Sequence, residues 1–176
     1  MIFRFFSRRS RDRATIEGLY GAIVAQARDP AFYADYGAPD TVEGRFDLIV
    51  LHLVLVIRRM RAGGEDAQDL AQGLFDRFCR DMEHNLREMG VSDLGVPKRM
   101  QAIGESFYGR AASYEAALAQ EASSPLEEAV ARNIFGIAAA PGAARMADYA
   151  RRADSMLASQ PLADIIAGKL AFPALR

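Results

Sequence analysis

Between Leu48 and Ile57 the chain reads LIVLHLVLVI, a run whose one polar side chain is His52. As a helix this run has no face to offer water, and it lacks the alternation of a half-exposed strand. It is also well short of the roughly 20 residues needed to cross a bilayer. What remains is a helix enclosed by other helices. Asp40 with Glu43 three residues on resembles a capping box, and Gly63 with Gly64 marks a stop. The segment therefore predicts a central apolar helix over about 41–62.

Such a rod needs partners, and the rest of the chain offers them at helical spacing. Ile16, Leu19, Tyr20, Ile23, Val24 and Ala27 fall on one face of a first helix over about 11–28. Asp29 and Pro30 form an N-cap with a first-turn proline, and Gly37 closes the short helix they open. Leu70, Leu74, Phe75, Phe78, Met82, Leu86 and Met89 make the stripe of a helix over about 66–89. Its other face carries Asp76 with Arg80 and Glu83 with Arg87, acid-first pairs at i,i+4. Pro97 opens a helix to about Gln120, in which Gly104 and Gly109 predict a bend or close approach by a neighbour, since each costs about 1 kcal/mol relative to alanine. Ser124 with Pro125, Pro141 and Pro161 open three more, reaching about Phe135, Ser159 and Leu170. No alternating segment and no hairpin dipeptide interrupts this pattern. The expected fold is an all-α single-domain bundle of about seven to eight helices over 14–176, behind a basic segment at 1–13.

Charge and motifs narrow the function. Lys plus Arg (22) against Asp plus Glu (23) gives a formal net charge of -1, no footprint for nucleic acid as a specific ligand. Cys79 is the single cysteine, which forbids an intramolecular disulfide and suits a reducing compartment. The sequence has no Gly-rich phosphate loop, GxSxG elbow or paired-Cys motif. Asp81 and His84 make one carboxylate-x-x-His unit where a di-metal bundle site needs two. His52 reads as a buried neutral imidazole bonded to a neighbour, with a haem or quinone pocket lined by the central helix as the alternative. Cys79 reads as a small core residue. The expectation is a protein that is not an enzyme and holds no cofactor or metal. Asp47, Glu43 and Arg45 predict a buried ion network under the central helix, whose disruption would mimic loss of function.

Several stretches read as surfaces. Residues 1–13, MIFRFFSRRSRDR, combine five arginines with Ile2, Phe3, Phe5 and Phe6. Ile2, Phe3, Arg4, Phe5, Phe6, Arg8 and Arg9 suit a membrane surface, phenylalanines among headgroups and arginines on anionic lipid; a solvated terminus and an organelle transit sequence are the other readings. Arg58, Arg59 and Arg61 close the central helix, where cations oppose the negative end of its dipole. Lys98, Arg99 and Met100 followed by Phe107, Tyr108 and Tyr114 give the 97–120 helix a basic start and an aromatic stripe, the pattern of helix packing or of a groove for a client segment. Met82, Met89 and Met100 surround the same loop.

Two stretches carry a specific resemblance: TVEGRFDLIVLHLVLVIRRMR from Thr41 to Arg61 and LFDRFCRDMEHNLREMGVSDLGVPKRMQAIGESFYGRAASY from Leu74 to Tyr114. The sequence resembles the ubiquinol-cytochrome c chaperone family over roughly 15–120, with the Ala-rich remainder less distinctive. The resemblance implies a non-enzymatic assembly factor for the respiratory cytochrome bc complex, which binds newly made cytochrome b with a small partner assembly factor, near the ribosome and the membrane. Arg58, Arg59, Lys98, Arg99, Met100, Phe107, Tyr108 and Tyr114 are the candidate client-binding residues. Twenty arginines against two lysines favour a bacterial source, hence a cytoplasmic protein, peripheral at the inner face of the inner membrane; a eukaryotic member would act on the matrix side of mitochondria.

Overall fold

A computed structural model describes the backbone over residues 2–175 and the side chains over 12–175. The described residues form α1 (Ile2–Ala27), α2 (Pro30–Ala34), α3 (Val42–Arg61), α4 (Glu65–Glu88), α5 (Val96–Leu118), α6 (Ser124–Val130), a π turn (Ala131–Phe135), α7 (Ala143–Ser159) and α8 (Leu162–Ile166), with no strand among them. This is the expected all-α bundle, and α3 is its centre. Every side chain from Asp47 to Ile57 is buried, against α1, α4, α5, α7 and the π turn. Enclosure on all sides is what a helix without a polar face requires.

The cap of α3 differs from the expectation. Thr41 Oγ1, rather than Asp40, accepts the N–H of Gly44 at 3.0 Å, while Asp40 ion-pairs with Arg45 at 2.8 Å on the surface. A hydroxyl at the N-cap satisfies a first-turn N–H as well as a carboxylate does. The buried network is also redrawn. Asp47 pairs with Arg110 of α5 at 2.8 Å, whereas Glu43 and Arg45 are exposed.

α1 and α4 run parallel. Tyr20 donates to Asp81 at 2.9 Å, and Arg77 pairs with Glu17 at 2.8 Å while its guanidinium lies 4.6 Å above the Tyr20 ring. Gly73 eases this seam, because a Cβ there would stand 2.5 Å from Ile16 Cδ1 and that terminal methyl would have to shift. Gly104 and Gly109 do no such service: nothing approaches within 4 Å of where either Cβ would be. On the outer face of α4, Arg87 bonds Glu83 at 2.8 Å as expected, but Asp76 accepts from Gln72 at 2.8 Å in place of Arg80. An amide one turn earlier reaches the carboxylate with less side chain to order.

The C-terminal third is more broken than the proline spacing implies. The α6 helix widens into the π turn and stops at Gly136, φ +68°. α8 ends at Ile166 rather than near Leu170, because Gly168 takes φ +84°. No described helix is long and apolar enough to cross a membrane. The side chains of Ile2, Phe3, Arg4, Phe5, Phe6, Arg8 and Arg9 lie outside the described residues.

Candidate functional site

Where α4 and α5 flank the C-terminal half of α3, two adjoining clefts of about 360 and 150 Å³ share Ile57, Arg61, Phe107 and Tyr108. Helical periodicity explains their form. On α5, Phe107, Ala111, Tyr114 and Leu118 recur at three- and four-residue steps and face inward, all buried. Tyr108 stands one position, about 100°, further round. Phe107 is thus the floor at 2% exposure, and Tyr108 the rim at 56%. Phe75 of α4 completes an aromatic cluster, its ring centroid 4.8 Å from Phe107 and 5.6 Å from Tyr108. Gln68, Gln72 and the Arg61–Glu115 pair at 3.3 Å form a neutral polar edge. Polarisable rings over an apolar floor hold apolar side chains, and the cleft walls bring no nucleophile and base together.

The fold divides the candidate client-binding residues among four places. Phe107 and Tyr108 line the groove. Tyr114 has no exposed surface, being seven residues from Phe107 on the same buried face. Arg58 bonds Asp154 at 2.5 Å, and Arg59 donates to the carbonyls of Leu157 and Gln160 at 2.8 and 2.9 Å. Arg59 therefore caps the end of α7, while Arg58 ties α3 to α7 through a carboxylate. Lys98 and Arg99 are exposed at the opposite end of the bundle, beside half-buried Met100. Met82 is buried while Met89 is 64% exposed, so the methionines of this loop do not share one surface. Gln68, Ala71, Gln72 and Glu115 are groove residues that the sequence pattern does not single out. Phe75 is visible on the α4 stripe, but which stripe residues meet a gap depends on how α4 and α5 flank α3.

The α7 side of α3 is closed. His52, with no exposed surface, lies 2.7 Å from Leu48 O through Nδ1 and 2.7 Å from the Tyr149 hydroxyl through Nε2. A carbonyl only accepts, so Nδ1 carries the proton and Nε2 accepts from Tyr149. Burial lowers His52 to a pKa of about 4, with the Leu48 carbonyl opposing, so the ring is neutral. Phe32 and Phe172 stand edge-on to the ring at 5.4 and 5.1 Å. Both nitrogens are used, which leaves none for a haem iron.

Other candidates are similarly occupied. Asp81 accepts from Tyr20 and Arg77, while His84 pairs with Glu88 at 3.2 Å on the surface. Among the described residues no three metal-ligating side chains converge. Burial, and then Asp76, push the Cys79 thiol up, away from reactivity, despite Arg80 beside it in sequence. Asp47 is raised to about 6, chiefly by burial, with Arg110 opposing and Glu43 adding.

Comparisons with known proteins agree with this architecture. The family described as Ubiquinol-cytochrome C chaperone matches residues 34–172, so the similarity runs on through α6, α7 and α8, past the 120 at which it becomes less distinctive by eye. The crystal structure of the Cbp3 homolog from Brucella abortus superposes with a TM-score of 0.89 at 35% identity, covering 99% of this chain and 98% of that one. No curated protein matches the sequence.

Proposed function

The chain belongs to the ubiquinol-cytochrome c chaperone family, and from that premise we propose that it is a non-enzymatic assembly factor that binds newly made cytochrome b through the groove between α4 and α5. The observation that carries this reading is the cluster of Phe75, Phe107 and Tyr108, three aromatic rings in mutual contact along one cleft, with Tyr108 exposed at its rim. A client made of apolar helices needs a surface that takes apolar side chains before they find their own partners. A shallow aromatic groove supplies dispersion and area without a rigid template.

Release needs no nucleotide, since the sequence has no phosphate loop; haem insertion or arriving subunits compete for the client. Strict dependence of release on added ATP would sink this part of the proposal. A peripheral position at the inner face of the membrane follows from the client, with the exposed cations Lys98 and Arg99 among those that could contact it. A small partner factor or the ribosome would dock away from the groove.

The test is the haem b band in reduced-minus-oxidised spectra of membranes from cells with and without the gene. Selective loss of cytochrome b, restored by the intact gene and not by a folded Phe75→Ala/Tyr108→Ala variant, is the expected result. An unchanged spectrum without the gene would overturn the assembly role.

A further inference from the structure

Beyond Gly168 the chain leaves α8 and runs without helix to residue 175. It lies antiparallel to α7: Ala171 meets Gln160, and three residues on Ala174 meets Arg152. Gln160 grips the main chain twice, Nε2 donating to Ala171 O at 2.8 Å and Oε1 accepting the Ala171 N–H at 3.2 Å. Arg152 Nη1 donates to Ala174 O at 3.2 Å. Between these grips Phe172 stands edge-on to His52, interplanar angle 87°, and Leu170 and Leu175 pack half-buried on the core.

Each of these hydrogen bonds joins a side chain of the body to the main chain of the strap. None depends on the identity of Ala171 or Ala174, and none on the covalent link to α8. Main-chain grips that set the register, with side chains seated between them, are how an extended peptide is held in a groove. The segment itself, Leu170 to Leu175, reads LAFPAL and has no charge.

We propose that the face formed by α3 and α7 is a binding groove for extended, uncharged apolar peptide segments with one aromatic side chain, and that residues 170–175 are its resident, exchangeable occupant. Gly168, at a left-handed φ of +84°, closes α8 with the Lys169 N–H bonded to the Asp164 carbonyl, and the strap begins beyond that cap. Gln160 and Arg152 read the main chain, and the His52 ring takes the aromatic side chain edge-on. The groove lies across α3 from the aromatic cleft, and the proposal is independent of cytochrome b as client.

The test uses the full chain and a fluorescein-labelled peptide of residues 168–175, followed by anisotropy. The Phe172→Ala chain, its own occupant weakened, is expected to bind the peptide at least tenfold more tightly than the unaltered chain. Adding Gln160→Ala, or replacing phenylalanine by alanine in the peptide, should each cost about tenfold. A Phe172→Ala chain that retains native circular dichroism and a cooperative melt but does not bind the peptide overturns the proposal. Hydrogen exchange on the unaltered chain decides the matter without any substitution. The Ala171 amide is expected to exchange through local opening, at a rate insensitive to low denaturant. Exchange of that amide only with global unfolding would show the strap to be a fixed part of the fold.

Discussion

The two long sides of α3 are finished differently. On the α7 side His52 spends both ring nitrogens within the protein, and Phe32, Tyr149 and Phe172 close around it. On the α4–α5 side Ile57, Phe75, Phe107 and Tyr108 leave a gap, and a tyrosine ring faces solvent with no described partner for its hydroxyl. The first side holds a histidine whose two nitrogens are both engaged. The second exposes aromatic rings that offer area. In a chaperone the site is where the protein stops packing against itself, so the open side, rather than the polar one, is the side to test.

The sharpest way to break the contrast is at the buried pair on the open side. Arg110→Ala strands Asp47 beneath α5 and is expected to cost about 3 kcal/mol at pH 8 in urea unfolding. The loss should shrink at pH 5, where Asp47 takes up a proton. An equal loss at both values would mean that Arg110 matters for packing alone.

The two sides also respond oppositely to pH. His52 falls from 6.5 to about 4 on folding, so its contribution is complete above about 6.5 and is lost as pH drops to 4. Asp47 rises from 3.8 to about 6, so its contribution is complete below 3.8 and is lost as pH climbs through 6. Each amounts to about 3 kcal/mol, and between pH 6.5 and 4 they largely cancel. Asp47→Asn removes one slope and should leave a variant that loses stability steeply over that window. A flat profile in the variant would contradict the neutral, buried assignment of His52.

Smaller effects sharpen the comparison further. Tyr149→Phe leaves Nε2 of His52 without a donor and is expected to cost about 2 kcal/mol in thermal unfolding, with client binding retained. Tyr108→Ala should change stability by less than about 0.5 kcal/mol and still abolish copurification of cytochrome b. The reverse pattern, with Tyr149→Phe losing the client and Tyr108→Ala retaining it, would exchange the roles assigned to the two sides.

How far these sides were legible in the sequence differs too. The LIVLHLVLVI run was enough to place α3 at the centre, because a helix without a polar face has one environment open to it. His52 as a satisfied core imidazole was equally legible, although Tyr149, 97 residues away, could not be named as its partner. Phe107 and Tyr108 are visible as an aromatic stripe with two meanings, packing and groove; in the fold Phe107 is the buried floor of the cleft and Tyr108 its exposed rim. Phe75 as the third member depends on the placement of α4 against α5, which no local pattern encodes. Arg58 and Arg59 stand in the last turn of α3 as expected, but their partners on α7 are hidden from the sequence for the same reason. The Asp154 carboxylate and the Leu157 carbonyl that they meet lie nearly 100 residues on. Periodicity gives the face of an element, while the identity of what meets that face is a tertiary property.

The central claim is that the open aromatic groove holds the client. A photoreactive phenylalanine analogue placed at Tyr108, and in a separate chain at Met156 on the exposed face of α7, puts the two sides in direct competition. Irradiation during cytochrome b synthesis is expected to yield a cytochrome b adduct from position 108 and none from position 156. An adduct from 156 with none from 108 would contradict the account.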